Sequence, residues 1–140
     1  MSIMMALALA AGAAAPPPPQ PDTVVGRWKT ETRNGVVEIQ RCGPSICGHI
    51  VTSDALRTNP GMTDSKNADP ALRKRLLRGM PMLGGFTAAG DGVWANGTIY
   101  NAEDGKTYSA RITPIGPNQL KLRGCVFVPF CKTQTWTRVN

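Results

Sequence analysis

A chain of 140 residues with one His, four Cys and 16 Lys+Arg against 9 Asp+Glu sets early limits. The length suits one domain around one core, and the single imidazole, His49, excludes any site built on two. An aromatic share of 6% beside 15 Gly and 12 Pro points to a turn-rich fold in place of a helical one.

Residues 3–15 form an almost unbroken apolar run, shorter than the ~20 residues a spanning helix needs. Ala13, Ala14 and Ala15 supply small residues for a signal peptidase, and four prolines follow at once. This order predicts a signal peptide over 1–15, a Pro-rich extended linker over 16–24 and a folded domain over 25–140. One departure is the missing basic n-region, since no Lys or Arg precedes Arg27. The expected location is the periplasm or the external medium, with no transmembrane segment in the mature chain. Every charged side chain follows residue 21, so the net charge of +7 belongs to the mature domain.

Residues 26–33 alternate Trp28, Thr30 and Thr32 with Arg27, Lys29, Glu31 and Arg33, as a half-buried strand does. Asn34-Gly35 is a strong hairpin turn signal, and strands over 36–41 and 48–52 complete a meander. Asp69-Pro70 reads as an N-cap with Pro at the first helical position, predicting a short helix around 69–78. Its Leu72, Leu76 and Leu77 would face the body. Arg73, Lys74, Arg75 and Arg78 would make the densest basic cluster of the chain. Strands follow over 82–87, 93–100, 107–115, 119–123 and 133–139, separated by Gly-rich turns. Eight short strands in sequential hairpins predict an all-β, antiparallel up-and-down barrel, with a sandwich as the alternative.

Cys42 and Cys47 bracket four residues, and Cys125 and Cys131 bracket five. Four cysteines allow three pairings. The two local pairs are favoured because each encloses a turn-like loop. A four-Cys zinc site would want closer spacing, and an exported chain favours oxidation.

Gly26-Arg27-Trp28 opens the first strand, and Trp136-Thr137-Arg138 closes the last. In a closed barrel these strands are neighbours, so Arg138 is placed to lie over Trp28. This pattern resembles that of the calycin superfamily, the lipocalins and their relatives. Gly97-Thr98-Ile99-Tyr100, Gly105-Lys106-Thr107-Tyr108, Gly124-Cys125 and residues 134–138 follow in order, with Asn59-Pro60 and Leu83-Gly84-Gly85-Phe86 upstream. Together they resemble a bacterial family of exported proteins whose domain has no known function. The resemblance spans residues 25–139 and implies a lipocalin-like barrel without an established activity. Asn101-Ala102 departs from the Asp-Pro more usual in relatives at that turn.

Two functional classes follow. The first is binding of a small hydrophobic or amphipathic ligand, with Trp28, Tyr100, Lys106, Tyr108, Ile112 and Leu120 as candidate contacts. Lys106 would draw an anionic head group. Val37, Ile39, Ala110 and Leu122 would complete the lining. The alternative is an envelope interaction protein with a filled barrel, meeting anionic surfaces through Arg73, Lys74, Arg75 and Arg78. No catalytic residue, metal site or cofactor motif is expected, and Glu103-Asp104 reads as a polar turn in place of an acid/base pair. Export leaves no specific nucleic-acid partner.

Overall fold

The computed structural model describes residues 20–140 except 128, and Gly12. The expected signal peptide therefore lies outside the described residues, Gly12 apart. Nine strands are present among the described residues. They are β1 (Gly26–Lys29), β2 (Val36–Cys42), β3 (Ser45–Thr52), β4 (Pro81–Gly84), β5 (Thr87–Ala88), β6 (Trp94–Asn101), β7 (Lys106–Pro114), β8 (Gln119–Phe127) and β9 (Phe130–Val139). The sheet runs β4-β3-β2-β1-β9-β8-β7-β6-β5, and β4 also pairs with β6. That last pairing, Leu83 opposite Ile99 and Gly84 opposite Thr98, closes eight strands into an antiparallel barrel. The two-residue β5 is appended to the start of β6.

Side-chain alternation explains the closure. On β7, Ile112 and Ala110 point inward and are buried, while Arg111 and Ser109 between them are exposed. Trp28, Ile39, Ile112 and Leu120 are fully buried in one cluster with Trp94, Trp136 and Phe86. Burying a large apolar side chain contributes roughly 1.5–3 kcal/mol, so this cluster is the main source of stability.

Four expectations shift. The type I′ turn uses Arg33 and Asn34, with φ of 50° and 51°, one residue earlier than Asn34-Gly35. Gly35 instead sits where a Cβ would lie 2.8 Å from the Thr30 hydroxyl and 3.3 Å from the Thr32 carbonyl oxygen, so a side chain there would force a local shift. The strand expected over 82–87 breaks at Gly85, whose φ of 74° turns Phe86 into the core against Gly97. The linker expected over 16–24 is not extended to its end, because Pro21–Val24 form a 3-10 turn with Val24 buried.

The helix expected around 69–78 is only a 3-10 turn, Pro70–Leu72; α1 is Asp54–Thr58, N-capped by Ser53. Beyond residue 72 the backbone is claimed by long-range partners: Asp64 N–H bonds the Arg75 carbonyl, and Leu77 N–H bonds that of Met62. These bonds replace the i→i−4 ladder. Leu72 and Leu76, expected against the body, are therefore exposed.

Candidate functional site

The two ends of the barrel differ. At one end the 3-10 turn Pro21–Val24 lies across the opening as a cap. Trp28 Nε1 donates to the Val24 carbonyl at 2.9 Å, and Trp94 Nε1 to that of Pro21 at 2.9 Å. Arg138 stacks its guanidinium 4.3 Å from the Trp28 ring centroid. The same guanidinium donates to the carbonyls of Thr23 (2.6 Å), Val25 (2.8 Å) and Pro117 (2.9 Å). Arg41 adds a second guanidinium over Trp94, 5.3 Å from its centroid, and an ion pair with Asp22. One arginine thus ties the last strand, the first strand and the cap together.

Towards the other end the inward positions become steadily more exposed. On β7 the inward series runs from buried Pro114, Ile112 and Ala110 to half-buried Tyr108 and exposed Lys106. On β8 it runs from buried Leu120 and Leu122 to half-buried Gly124. On β9 it runs from buried Trp136 through half-buried Gln134 to exposed Lys132. Ile99 on β6 is partly buried against the core. A Cβ built at Gly124 would meet only ordinary contacts, Ile99 Cγ2 at 3.7 Å and the Ser109 carbonyl at 3.9 Å. The barrel is therefore plugged by three tryptophans at the capped end, and its inward positions become exposed towards the other.

The ligand candidates divide accordingly. Trp28, Ile112 and Leu120 are core residues without exposed surface. Tyr108 and Lys106 share the inner side of the accessible mouth, where Tyr108 donates to the Asp104 carboxylate. That hydrogen bond and a smaller effect of burial raise the Tyr108 phenol above its ordinary pKa. Tyr100 alternates to the opposite side of β6 and is absent from the mouth. Sequence reading missed Lys132, Ile99 and Gly124, whose inward placement depends on cross-strand register.

Tyr100 belongs to a separate polar lock. The Asp64 carboxylate accepts three hydrogen bonds, from the Tyr100 hydroxyl at 2.6 Å, Asn67 Nδ2 at 2.8 Å and Arg75 Nε at 3.0 Å. Asp64 is 1% exposed. Burial alone would raise its pKa, but the three hydrogen bonds and the Arg75 charge overcome that and hold it below the usual carboxylate value. Burial and donation to Asp64 conversely raise the Tyr100 phenol. The lock fastens the loop after α1 to the β6–β7 corner, where Lys66 Nζ also bonds the Glu103 carbonyl at 2.7 Å. Gly105 is required there: its φ is 72°, and a Cβ would fall 1.9 Å from the Lys66 carbonyl oxygen.

The basic cluster is divided by the same loop. Arg75 is spent on Asp64, and Arg73 Nε donates to the Asn67 carbonyl at 2.8 Å, leaving Lys74 and Arg78 exposed. His49 lies opposite Glu38 on the outer wall, 3.6 Å from its carboxylate. Among the described residues no group of three or more His, Cys, Asp or Glu is placed to hold a metal ion. Disulfides join Cys42 to Cys47 and Cys125 to Cys131. Two surface concavities, about 480 and 250 Å³, lie outside the barrel. The larger is lined by outward residues including Arg27, Lys29 and Arg57, of which Arg27 and Arg57 are paired with Glu38 and Asp54.

A closed eight-stranded antiparallel barrel, with a G-x-W first strand locked by an arginine from the last, defines a lipocalin-like protein. The solved structure of protein HP1028 from Helicobacter pylori, described as belonging to the lipocalin family, is similar over 84% of this chain and 83% of its own, with a TM-score of 0.73. At 23% identity the likeness is one of fold. Residues 26–138 match a family described as "Uncharacterized protein conserved in bacteria (DUF2147)", and the chain belongs to that family. No curated protein matches the chain.

Proposed function

We propose that this protein is an exported binding protein, not an enzyme, that takes a small amphipathic ligand at the accessible mouth of its barrel. The observation that carries this reading is the gradient of exposure along the inward positions of β7, β8 and β9, which ends in Tyr108, Gly124, Lys106 and Lys132. Small barrels of eight strands are filled by their own side chains or hold one small ligand. Here the tryptophan plug fills the capped half, so a ligand is held shallowly. Its apolar part lies against Ile99, Tyr108 and Gly124, and its anionic group meets Lys106 and Lys132. Two disulfides support export, because such bonds persist in oxidising compartments.

The test is a fluorescence titration with cis-parinaric acid, a carboxylate-headed polyene. The reading predicts saturable binding, weakened about tenfold or more in a variant carrying Lys106→Glu and Lys132→Glu, since two attractions become repulsions. Undiminished affinity in that variant, or no saturable binding by the parent chain, overturns it.

A further inference from the structure

The hairpin joining β8 to β9 is the most apolar exposed feature among the described residues. Val126, Phe127 and Phe130 are 63%, 62% and 63% exposed, although a folded chain ordinarily buries such side chains. Phe127 and Phe130 face each other edge-on, with centroids 4.9 Å apart. The Cys125–Cys131 disulfide crosses the hairpin directly behind them. Pairing with the barrel stops short of this tip. β7 reaches β8 only as far as Cys125, and β1 meets β9 only over residues 137–139. The two rings are therefore held out from the barrel wall on a cross-linked stalk.

Charge identifies what such a tip meets. From residue 105 to the C-terminus the sequence has six basic residues and no acidic one. Arg138 is spent on the cap, whereas Arg111, Lys121, Arg123 and Lys132 are exposed and make no ion pair among the described residues. Lys132 is two residues behind Phe130 and Arg123 four behind Phe127. At ~3.3 Å per extended residue, their backbones lie roughly 7 and 13 Å behind the rings. Interfacial segments bury apolar groups ~5–10 Å into the headgroup and acyl boundary while their basic groups meet anionic lipid. The Lys132 spacing falls within that depth, and Arg123 lies a little beyond it, within reach of its long side chain. A second copy of this chain fits poorly, because two such uniformly basic hairpins repel.

We propose that the β8–β9 tip is a membrane-docking wedge, inserting Phe127 and Phe130 into the interface of an anionic bilayer while Lys132 and Arg123 engage its head groups. This inference shares Lys132 with the ligand site proposed above but is carried by the exposed rings, so its own test decides it. The tip replaces the cluster at residues 73–78 as the main membrane-facing surface.

The test uses oxidised residues 20–140, which hold the closed barrel, its cap and both disulfides, with vesicles of phosphatidylglycerol in phosphatidylcholine and of phosphatidylcholine alone. Co-sedimentation is expected with the anionic vesicles and is expected to weaken at high salt. A Phe127→Ser, Phe130→Ser variant should lose about tenfold or more of its partition. An Arg123→Gln, Lys132→Gln variant should lose about fivefold for each charge removed. Near-ultraviolet circular dichroism confirms that the tryptophan core is intact in both. The inference is overturned if the Phe variant partitions like the parent, if anionic and neutral vesicles bind equally, or if ultracentrifugation shows a dimer that the Phe substitutions dissolve without any vesicle binding.

Discussion

A buried carboxylate costs free energy unless it is fully satisfied, and Asp64 is satisfied by Tyr100, Asn67 and Arg75 together. Because folding holds its pKa down, the sign of the pH effect follows. The stabilisation is complete above the unfolded-state value of about 3.9 and is lost as pH falls through the lower folded value. Asp64→Asn should therefore cost about 1.5–3 kcal/mol at neutral pH, the range for charge-assisted hydrogen bonds. The gap between variant and parent should narrow on acidification. Urea titrations at several pH values check this, and a gap independent of pH would contradict it. The lock was illegible in the sequence because its members are 36 and 11 residues apart and meet only through tertiary pairing. Arg75 looked like one charge of a helix face. The buried positions of β7 and β8 were legible instead, since Ile112, Leu120 and Leu122 alternate with polar residues in a period of two.

At the level of elements, strands came through where alternation and turns agreed. They failed where glycine conformation mattered, as at Gly85, which splits one expected strand into β4 and β5. The cap was hidden for a different reason. Proline-rich composition reads as an extended linker, yet Pro21–Val24 are fixed by hydrogen bonds from Trp28, Trp94 and Arg138, all remote in sequence or on other strands. Arg138 is the hinge of that arrangement. Replacing it by Lys removes the planar fork that both stacks on Trp28 and donates to three carbonyls. Arg138→Lys should lose about 1–3 kcal/mol and lower Tm by roughly 5–10 °C. An unchanged melt followed by tryptophan emission would show that the cap does not depend on it. The mouth was only partly legible. Lys106 and Tyr108 stand on one strand and were found together, whereas Lys132 joins them through register alone.

The whole molecule is polar in its organisation: a capped end built from tryptophan, arginine and backbone carbonyls, and an accessible end built from a shallow mouth and a protruding apolar hairpin. On the reading proposed above, the plug provides stability and the opposite end is where a ligand would exchange. The barrel follows from the strand pattern and from first and last strands that fit together, and the two local disulfides add restraint to its hairpins. Folds of this kind host many functions, so the proposed ligand binding is tested on the protein itself. Native mass spectrometry of the oxidised protein taken directly from the exported fraction tests the central claim most directly. A reproducible adduct of small-molecule mass, lost when Lys106 and Lys132 are reversed to Glu, is the predicted result. A bare mass that stays bare when fatty acids and lipid extracts are offered would contradict it and leave the outer surface as the seat of function.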